Sequence, residues 1–178
     1  MSLSRVLYRV RQFYFALRAV ADPQDLEQAR SVLAPAQVAL FSGMQPSEQA
    51  HAVSVYRQLV AQGETSSDLL AAALLHDVGK SLSPLRLWER VLIVLARAFF
   101  PAQSRRWGSL PAVGLGGWKH AFVVAEQHPA WGAALAAEAG ASPRLVTLIR
   151  LHQEAPPTEA DPETRRLLIK LQAVDDNN

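Results

Sequence analysis

Four times along this chain a small polar residue is followed directly by proline: Asp22-Pro23, Ser83-Pro84, Ser142-Pro143 and Asp161-Pro162. Each pair predicts a helix start. The Asp or Ser side chain can accept from free backbone N–H groups of the first turn, and Pro, fixed near the helical φ, is tolerated at the first position. Gly63 and Gly140 stand where helices should stop. Between these marks apolar residues recur at spacings of three and four. Alternation at period two never persists, and Asp-Gly hairpin signals are missing. The chain should therefore be all-α.

At 178 residues it suits a single-domain helical bundle. Residues 1–45 read as an N-terminal helical extension packed on a core formed by 46–178. Within the extension, 3–20 should be a basic amphipathic helix, with Val6, Val10, Phe13 and Leu17 on one face. Pro35 and Ser42-Gly43 punctuate the chain. Pro46 begins a helix that carries His51 and ends at Gly63. A very apolar helix should follow over 68–77, and another over about 84–100. The stretch 108–117, rich in Gly and Pro, reads as a loop or lid. His128-Pro129 should start a small-residue helix ending at Gly140. Ser142-Pro143 starts one that ends near His152, Ala155-Pro156-Pro157 is a linker, and Asp161-Pro162 starts the last helix, ending at Asp175.

Net charge is only +2 with His neutral, which does not argue for nucleic acid. The distribution is uneven: within 81–120 lie Arg86, Arg90, Arg97, Arg105, Arg106 and Lys119 against the single acid Glu89. This Arg-rich insert could face an anionic substrate, with Arg90 and Arg97 lining its entrance, a membrane surface, or solvent. The apolar run 91–100 is interrupted by Arg97 and falls short of the about 20 residues a membrane span needs. Arg5, Arg9 and Arg11 break up any signal-peptide core. A cytoplasmic protein without a transmembrane segment is the expectation, with membrane-surface contact a lesser possibility and the oligomeric state open.

There is no cysteine, so any metal must be held by His, Asp or Glu. Four of the five histidines continue an inward-facing apolar stripe or stand at a helix edge. His51 shares a face with Val55 and Leu59, and His76 follows Leu69, Ala72 and Ala73. His152 follows Leu145, Leu148 and Ile149, and Asp175 follows Leu168 and Leu171. A carboxylate on a buried face must be paired or metal-bound. Several such groups converging from different helices would make a cation site. The neighbours His76 and Asp77 would diverge by roughly 100° on a continuous helix. Both therefore reach one centre only at a helix end or where two metals share the site.

The stretch Leu74-Leu75-His76-Asp77-Val78-Gly79-Lys80 resembles the signature of the HD-domain superfamily of metal-dependent phosphohydrolases. Ala50-His51 resembles the family's first histidine. His128-Pro129 with Gly132 and Ala133, and the segment ending Leu151-His152-Gln153-Glu154, resemble the two additional-histidine motifs of two-metal members. Leu171-Gln172-Ala173-Val174-Asp175 resembles the closing aspartate. The resemblance implies that His51, His76, Asp77 and Asp175 hold one divalent ion, and that Asp77 bridges to a second held by His128 and His152. The ions could be iron, manganese, magnesium, zinc, cobalt or nickel. It further implies a metal-activated water attacking a phosphate ester or anhydride, with a nucleotide as the substrate class and Asp77 and Lys80 in the catalytic machinery. Lys80 would contact a non-bridging phosphate oxygen.

The resemblance departs from the members that cleave cyclic di-GMP. Those carry His-His-Glu followed by Gly-Tyr-Pro, whereas Gln153 and Ala155-Pro156-Pro157 stand here. The alternative function is a metal-binding regulatory or ligand-sensing domain with little catalysis. Competing readings of single residues are a structural His76–Asp77 pair, a solvated His152, a helix-start His128 and a surface Lys80. His120 matches no ligand motif, and Trp88, Trp107, Trp118 and Trp131 read as packing residues.

Overall fold

The computed structural model describes residues 21–112, 116–159 and 161–177. The expected helix over 3–20 lies outside them. Among the described residues the chain is a single-domain, all-α fold of nine α-helices with no strand. In order these are α1 (Pro23–Arg30), α2 (Pro35–Ser42), α3 (Pro46–Ala61) and α4 (Ser67–Leu75). A 3-10 turn (Val78–Leu82) follows, then α5 (Leu87–Phe99), α6 (Pro101–Gly108), α7 (His120–Glu138), α8 (Pro143–Leu151) and α9 (Pro162–Asp175). None is long and apolar enough to cross a membrane.

Three of the four Asp/Ser-Pro pairs start helices; Ser83-Pro84 does not, and the helix expected from about 84 begins at Leu87. Asp22 Oδ1 accepts from the Gln24 N–H at 2.8 Å, Ser142 Oγ from Leu145 at 3.0 Å, and Asp161 Oδ1 from Thr164 at 3.0 Å. Gly63 and Gly140 take φ of 80° and 75°, the left-handed conformation a Cβ would disfavour.

Three other boundaries differ from the sequence reading. Pro35 does not merely punctuate but opens α2, and Pro101 opens α6 immediately after α5, so two short helices stand where none is expected. The apolar helix before the His76-Asp77 pair ends at Leu75, not at 77. The third difference is larger: His128-Pro129 is not a helix start. α7 begins at His120 and runs through Pro129. A proline inside a helix leaves the carbonyl four residues earlier without its N–H partner. Here that carbonyl belongs to Ala125, and it accepts instead from the Arg97 guanidinium of α5 at 3.0 Å. A side chain from a neighbouring helix thus replaces the missing donor.

α4 is the axis of the fold. Leu69, Ala72, Ala73, Leu74 and Leu75 are fully buried, packed against α2, α3, α8 and α9. Each fully buried Leu contributes roughly 1.5–3 kcal/mol of hydrophobic stabilisation. Ala29, Leu33, Phe41 and Met44, from residues 21–45, join the same core. A second apolar cluster forms around Ile93 and Ala96 of α5 and Ala121, Phe122, Val124 and Ala125 of α7. α7 takes part in both, with its first half in the second cluster and Ala133 and Ala136 in the first. The six candidate ligands lie where α3, α4, α7, α8 and α9 meet.

Candidate metal centre

The chain turns sharply after α4. His76 caps that helix in helical conformation, but Asp77, at φ −94° and ψ 2°, already belongs to the entry of the 3-10 turn. This change of helix type lets two consecutive side chains reach one centre. The turn is pressed onto α7 so closely that a Cβ on Gly79 would stand 2.1 Å from the His128 carbonyl oxygen and 2.7 Å from the Gly132 nitrogen. The reciprocal glycine, Gly132, faces the Gly79 nitrogen. Two glycines therefore allow backbone-to-backbone contact and bring Asp77 to His128.

The six residues converge. His51 Nε2 lies 2.8 Å from Asp175 Oδ1, and His76 Nε2 lies 3.4 Å from that same oxygen. Asp77 presents its two oxygens to different neighbours. Its Oδ2 is 3.6 Å from His76 Nε2, while its Oδ1 is 3.1 Å from His128 Nε2 and 3.9 Å from His152 Nε2. His128 and His152 bring their Nε2 atoms within 3.3 Å of each other. Two groups of potential ligands result, His51–His76–Asp77 and Asp77–His128–His152, each with ligand atoms within 4.8 Å of one another and Asp77 common to both. His76, Asp77, His128 and His152 are buried, and His51 and Asp175 are partly exposed.

The histidines are oriented by their own helices. His76 Nδ1 bonds the Ala73 carbonyl at 3.0 Å, His128 Nδ1 the Val124 carbonyl at 3.0 Å, and His152 Nδ1 the Ile149 carbonyl at 2.8 Å. A carbonyl only accepts, so each Nδ1 carries the proton. In the neutral ring Nε2 is then a lone pair. Metal-binding histidines are held in the same way.

Burial pushes His128 down from its ordinary value and His152 down to about 3, so both are neutral near pH 7. Two neutral Nε2 lone pairs therefore face each other and the Asp77 oxygen with no proton between them, an arrangement that a cation satisfies.

His76 behaves differently. Burial opposes its charging, but Asp77 and Asp175 outweigh that effect and raise it to about 9. The charged ring still gives its buried Nε2 no hydrogen-bond partner. Burial likewise opposes ionisation of both aspartates. Lys80, His76 and His128 nevertheless hold Asp77 well below the ordinary carboxylate range, and His76 and His51 do so for Asp175. Two ionised carboxylates, neutral imidazoles aimed by their Nδ1 bonds, and the orphaned His76 Nε2, a donor once its proton is displaced, form a set that fits a divalent metal ion. These buried His/Asp groups could hold one.

Lys80 sits beside the centre, not on the open surface. Its Nζ is 2.6 Å from Asp77 Oδ2 and 3.7 Å from Glu48 Oε2. Glu48 is buried and also pairs with Arg90, which in turn reaches Gln45. The Arg90 guanidinium is thus paired with Glu48 while it borders a cavity at the centre. Sequence reading missed Glu48. The available signal was its position one turn before His51 on the same helix, where an acid faces the core and needs a partner. Asp175 touches His51 and His76 but, like its exposed neighbour Asp176, lies outside the two ligand groups. His120 also lies outside them, bonding Ser83 Oγ at 3.3 Å.

Two cavities open on the centre. One, of about 650 Å³, is bordered by His152 and Asp175 together with Arg97, Arg105, Glu126 and Gln172. The other, of about 160 Å³, is bordered by Lys80, His128, Glu48 and Arg90. Arg97 and Gln153 line both. Compared with known proteins, the chain matches no family model, no curated protein and no solved structure.

Proposed function

We propose that the chain is a metal-dependent phosphohydrolase of the HD type, cleaving a phosphate ester or anhydride of a nucleotide, with two divalent ions at the centre. The observation that carries this reading is the orientation of Asp77. One carboxylate oxygen faces the His76 side and the other faces the His128–His152 pair, the disposition a bridging ligand needs. His51, His76 and Asp175 would complete one site, and His128 and His152 the other. When bound, a divalent pair lowers the pKa of water and neutralises charge on phosphate oxygens.

The chain's own residues supply the rest. The Nδ1 bonds fix the three buried rings, and the carboxylates remain ionised. The larger cavity, bordered by His152 and Asp175, gives a substrate access. Lys80 is placed to donate to a phosphate oxygen once Asp77 engages metal, and Glu48 holds the ammonium near that position. No side chain is assigned as general acid.

The test is elemental analysis of protein purified without chelator, beside Asp77→Ala and His128→Ala, followed by hydrolysis assays on nucleotide polyphosphates and cyclic dinucleotides. We expect about two metals per chain in the parent, fewer in His128→Ala, and loss of both metals and activity in Asp77→Ala. One metal, unchanged by His128→Ala, would place His128 and His152 outside the metal site. A full complement without turnover of any phosphate ester would replace the reading with a ligand-sensing domain.

A further inference from the structure

The metal centre leaves one feature of the molecule unused. Of the nine exposed large apolar residues among those described, six fall within 82–118: Leu82, Leu87, Trp88, Phe99, Phe100 and Trp118. They include every exposed Trp and Phe among the described residues, with Phe99 57%, Phe100 65%, Trp88 50% and Trp118 43% accessible. Four of them, Trp88, Phe99, Phe100 and Trp118, line two adjoining depressions. A hollow of about 410 Å³ is lined only by apolar side chains, among them Leu92, Leu95, Phe99, Phe100, Trp107 and Trp118. Trp118 also lines a second depression with Trp88, Arg86 and Glu89, so one surface runs from Trp88 to Phe100. Trp107 and Trp118 meet edge to face at a centroid distance of 4.7 Å, and both touch Phe122 of the second core cluster. The patch is therefore anchored to the fold through α5, α6 and α7.

Its charge selects what it can meet. Arg86 borders the patch, and Lys119 stands 5.7 Å from the Trp118 ring. Among the described residues neither Arg86 nor Lys119 forms an ion pair with an acid, unlike Arg90, which is spent on Glu48. Within 81–120 the only acid is Glu89, and its carboxylate is occupied in capping α5 through the Arg86 N–H at 2.6 Å. Tryptophan and phenylalanine at the two ends of an amphipathic helix, bordered by Arg86 and Lys119, match the chemistry of the headgroup boundary. There the rings enter the acyl edge and the cations meet anionic lipid. Exposed aromatic surface of this extent is costly in water alone.

We infer that the α5–α6 face, centred on Trp88, Phe99, Phe100 and Trp118, docks peripherally on an anionic lipid bilayer. α6 then lies between the two functions. Phe100 and Trp107 face the bilayer patch, while Pro101, Ser104 and Arg105 border the larger cavity at the metal centre.

The experiment is co-sedimentation of the full chain with vesicles of phosphatidylcholine alone and with added phosphatidylglycerol, at low and high ionic strength. Three proteins are compared: the parent, Phe99→Ser/Phe100→Ser, and Arg86→Glu/Lys119→Glu. All substituted side chains lie at the surface or rim, and circular dichroism and metal content of each variant confirm that fold and centre are intact. We expect binding only to the anionic vesicles, weakened by salt. The double serine variant should partition about tenfold or more less strongly, and the charge-reversed variant should lose the dependence on phosphatidylglycerol. Three results would overturn the inference. One is no vesicle binding by the parent. Another is binding unchanged by the serine pair, which would locate the membrane contact elsewhere in the chain. The third is a concentration-dependent dimer abolished by the serine pair without vesicle binding, which would make a second copy the occupant. Each result is independent of whether the metal centre hydrolyses phosphate esters.

Discussion

Replacing Gly79 by alanine separates two reasons for a glycine. Its φ is not positive, so the backbone there is open to any residue. On backbone grounds alone Gly→Ala would stabilise the protein by about 0.4–1 kcal/mol through the unfolded chain. The structure argues for the opposite sign. The new methyl carbon would lie 2.1 Å from the His128 carbonyl oxygen, whereas real Cβ contacts essentially never fall under 3.0 Å. The obstacles are backbone atoms on both counts, so no side chain can swing away. The 3-10 turn must move from α7 by about 0.9 Å or more, at an overpacking cost of about 1–3 kcal/mol. That is a sizeable share of the roughly 5–15 kcal/mol that holds a domain together. The same movement draws Asp77 Oδ1 from His128 Nε2, now 3.1 Å apart, and metal ligands tolerate only about 0.2 Å of misplacement. Urea unfolding of the metal-free proteins should therefore show a lower midpoint for Gly79→Ala. Elemental analysis should show depleted metal. Gly63→Ala, strained at φ 80° but facing open space, should lose stability without losing metal. A Gly79→Ala protein as stable as the parent, with its metal intact, would refute the close-contact argument.

Two further outcomes follow from the geometry. Arg97→Met should unfold at lower urea, by about 1–3 kcal/mol, because it strips the donor from the Ala125 carbonyl that Pro129 leaves unpaired; an unchanged midpoint would mean that carbonyl is satisfied another way. The metal-free chain should be most stable near pH 6.5, read as the thermal midpoint against pH. His76, raised from 6.5 to about 9, contributes stability that is complete below 6.5 and is lost as pH rises through 9. His152, lowered to about 3, costs stability as pH falls from 6.5 toward 3, because only the unfolded chain takes up its proton there. A midpoint that climbs steadily from pH 6.5 to 9 would contradict the assignment for His76.

Much of the fold is legible in local chemistry. Cap-proline pairs and left-handed glycines depend on neighbours in sequence, and the starts of α1, α8 and α9 follow from them. The convergence of His51, His76, Asp77, His128, His152 and Asp175 was legible as well, because polar groups continuing apolar stripes have nowhere to go but inward. What escaped depends on partners distant in sequence. Pro129 reads as a helix start until Arg97 is seen to replace the donor it lacks. Arg90 reads as a surface charge until Glu48, forty-two positions earlier, is found buried opposite it. Gly79 and Gly132 look like ordinary small residues until their backbones are seen in contact. α2 and α6 are only two turns long and carry too few apolar positions to show a period.

The ligands sit at particular places along their helices, and that has an electrostatic consequence. His76 caps the C-terminal end of α4, His152 caps that of α8, and Asp175 is the last residue of α9. Three helices thus direct their carbonyl ends at one point, each bringing the equivalent of about half a negative charge. This field adds to the two ionised aspartates and offsets the charged His76 and Lys80 beside them, so the metal-free pocket favours cations over phosphate. Occupancy should then be ordered, with metal entering first and creating the positive potential that an anionic substrate needs. Isothermal titration of the chelator-treated chain with inorganic phosphate should give no heat of binding until a divalent ion is restored.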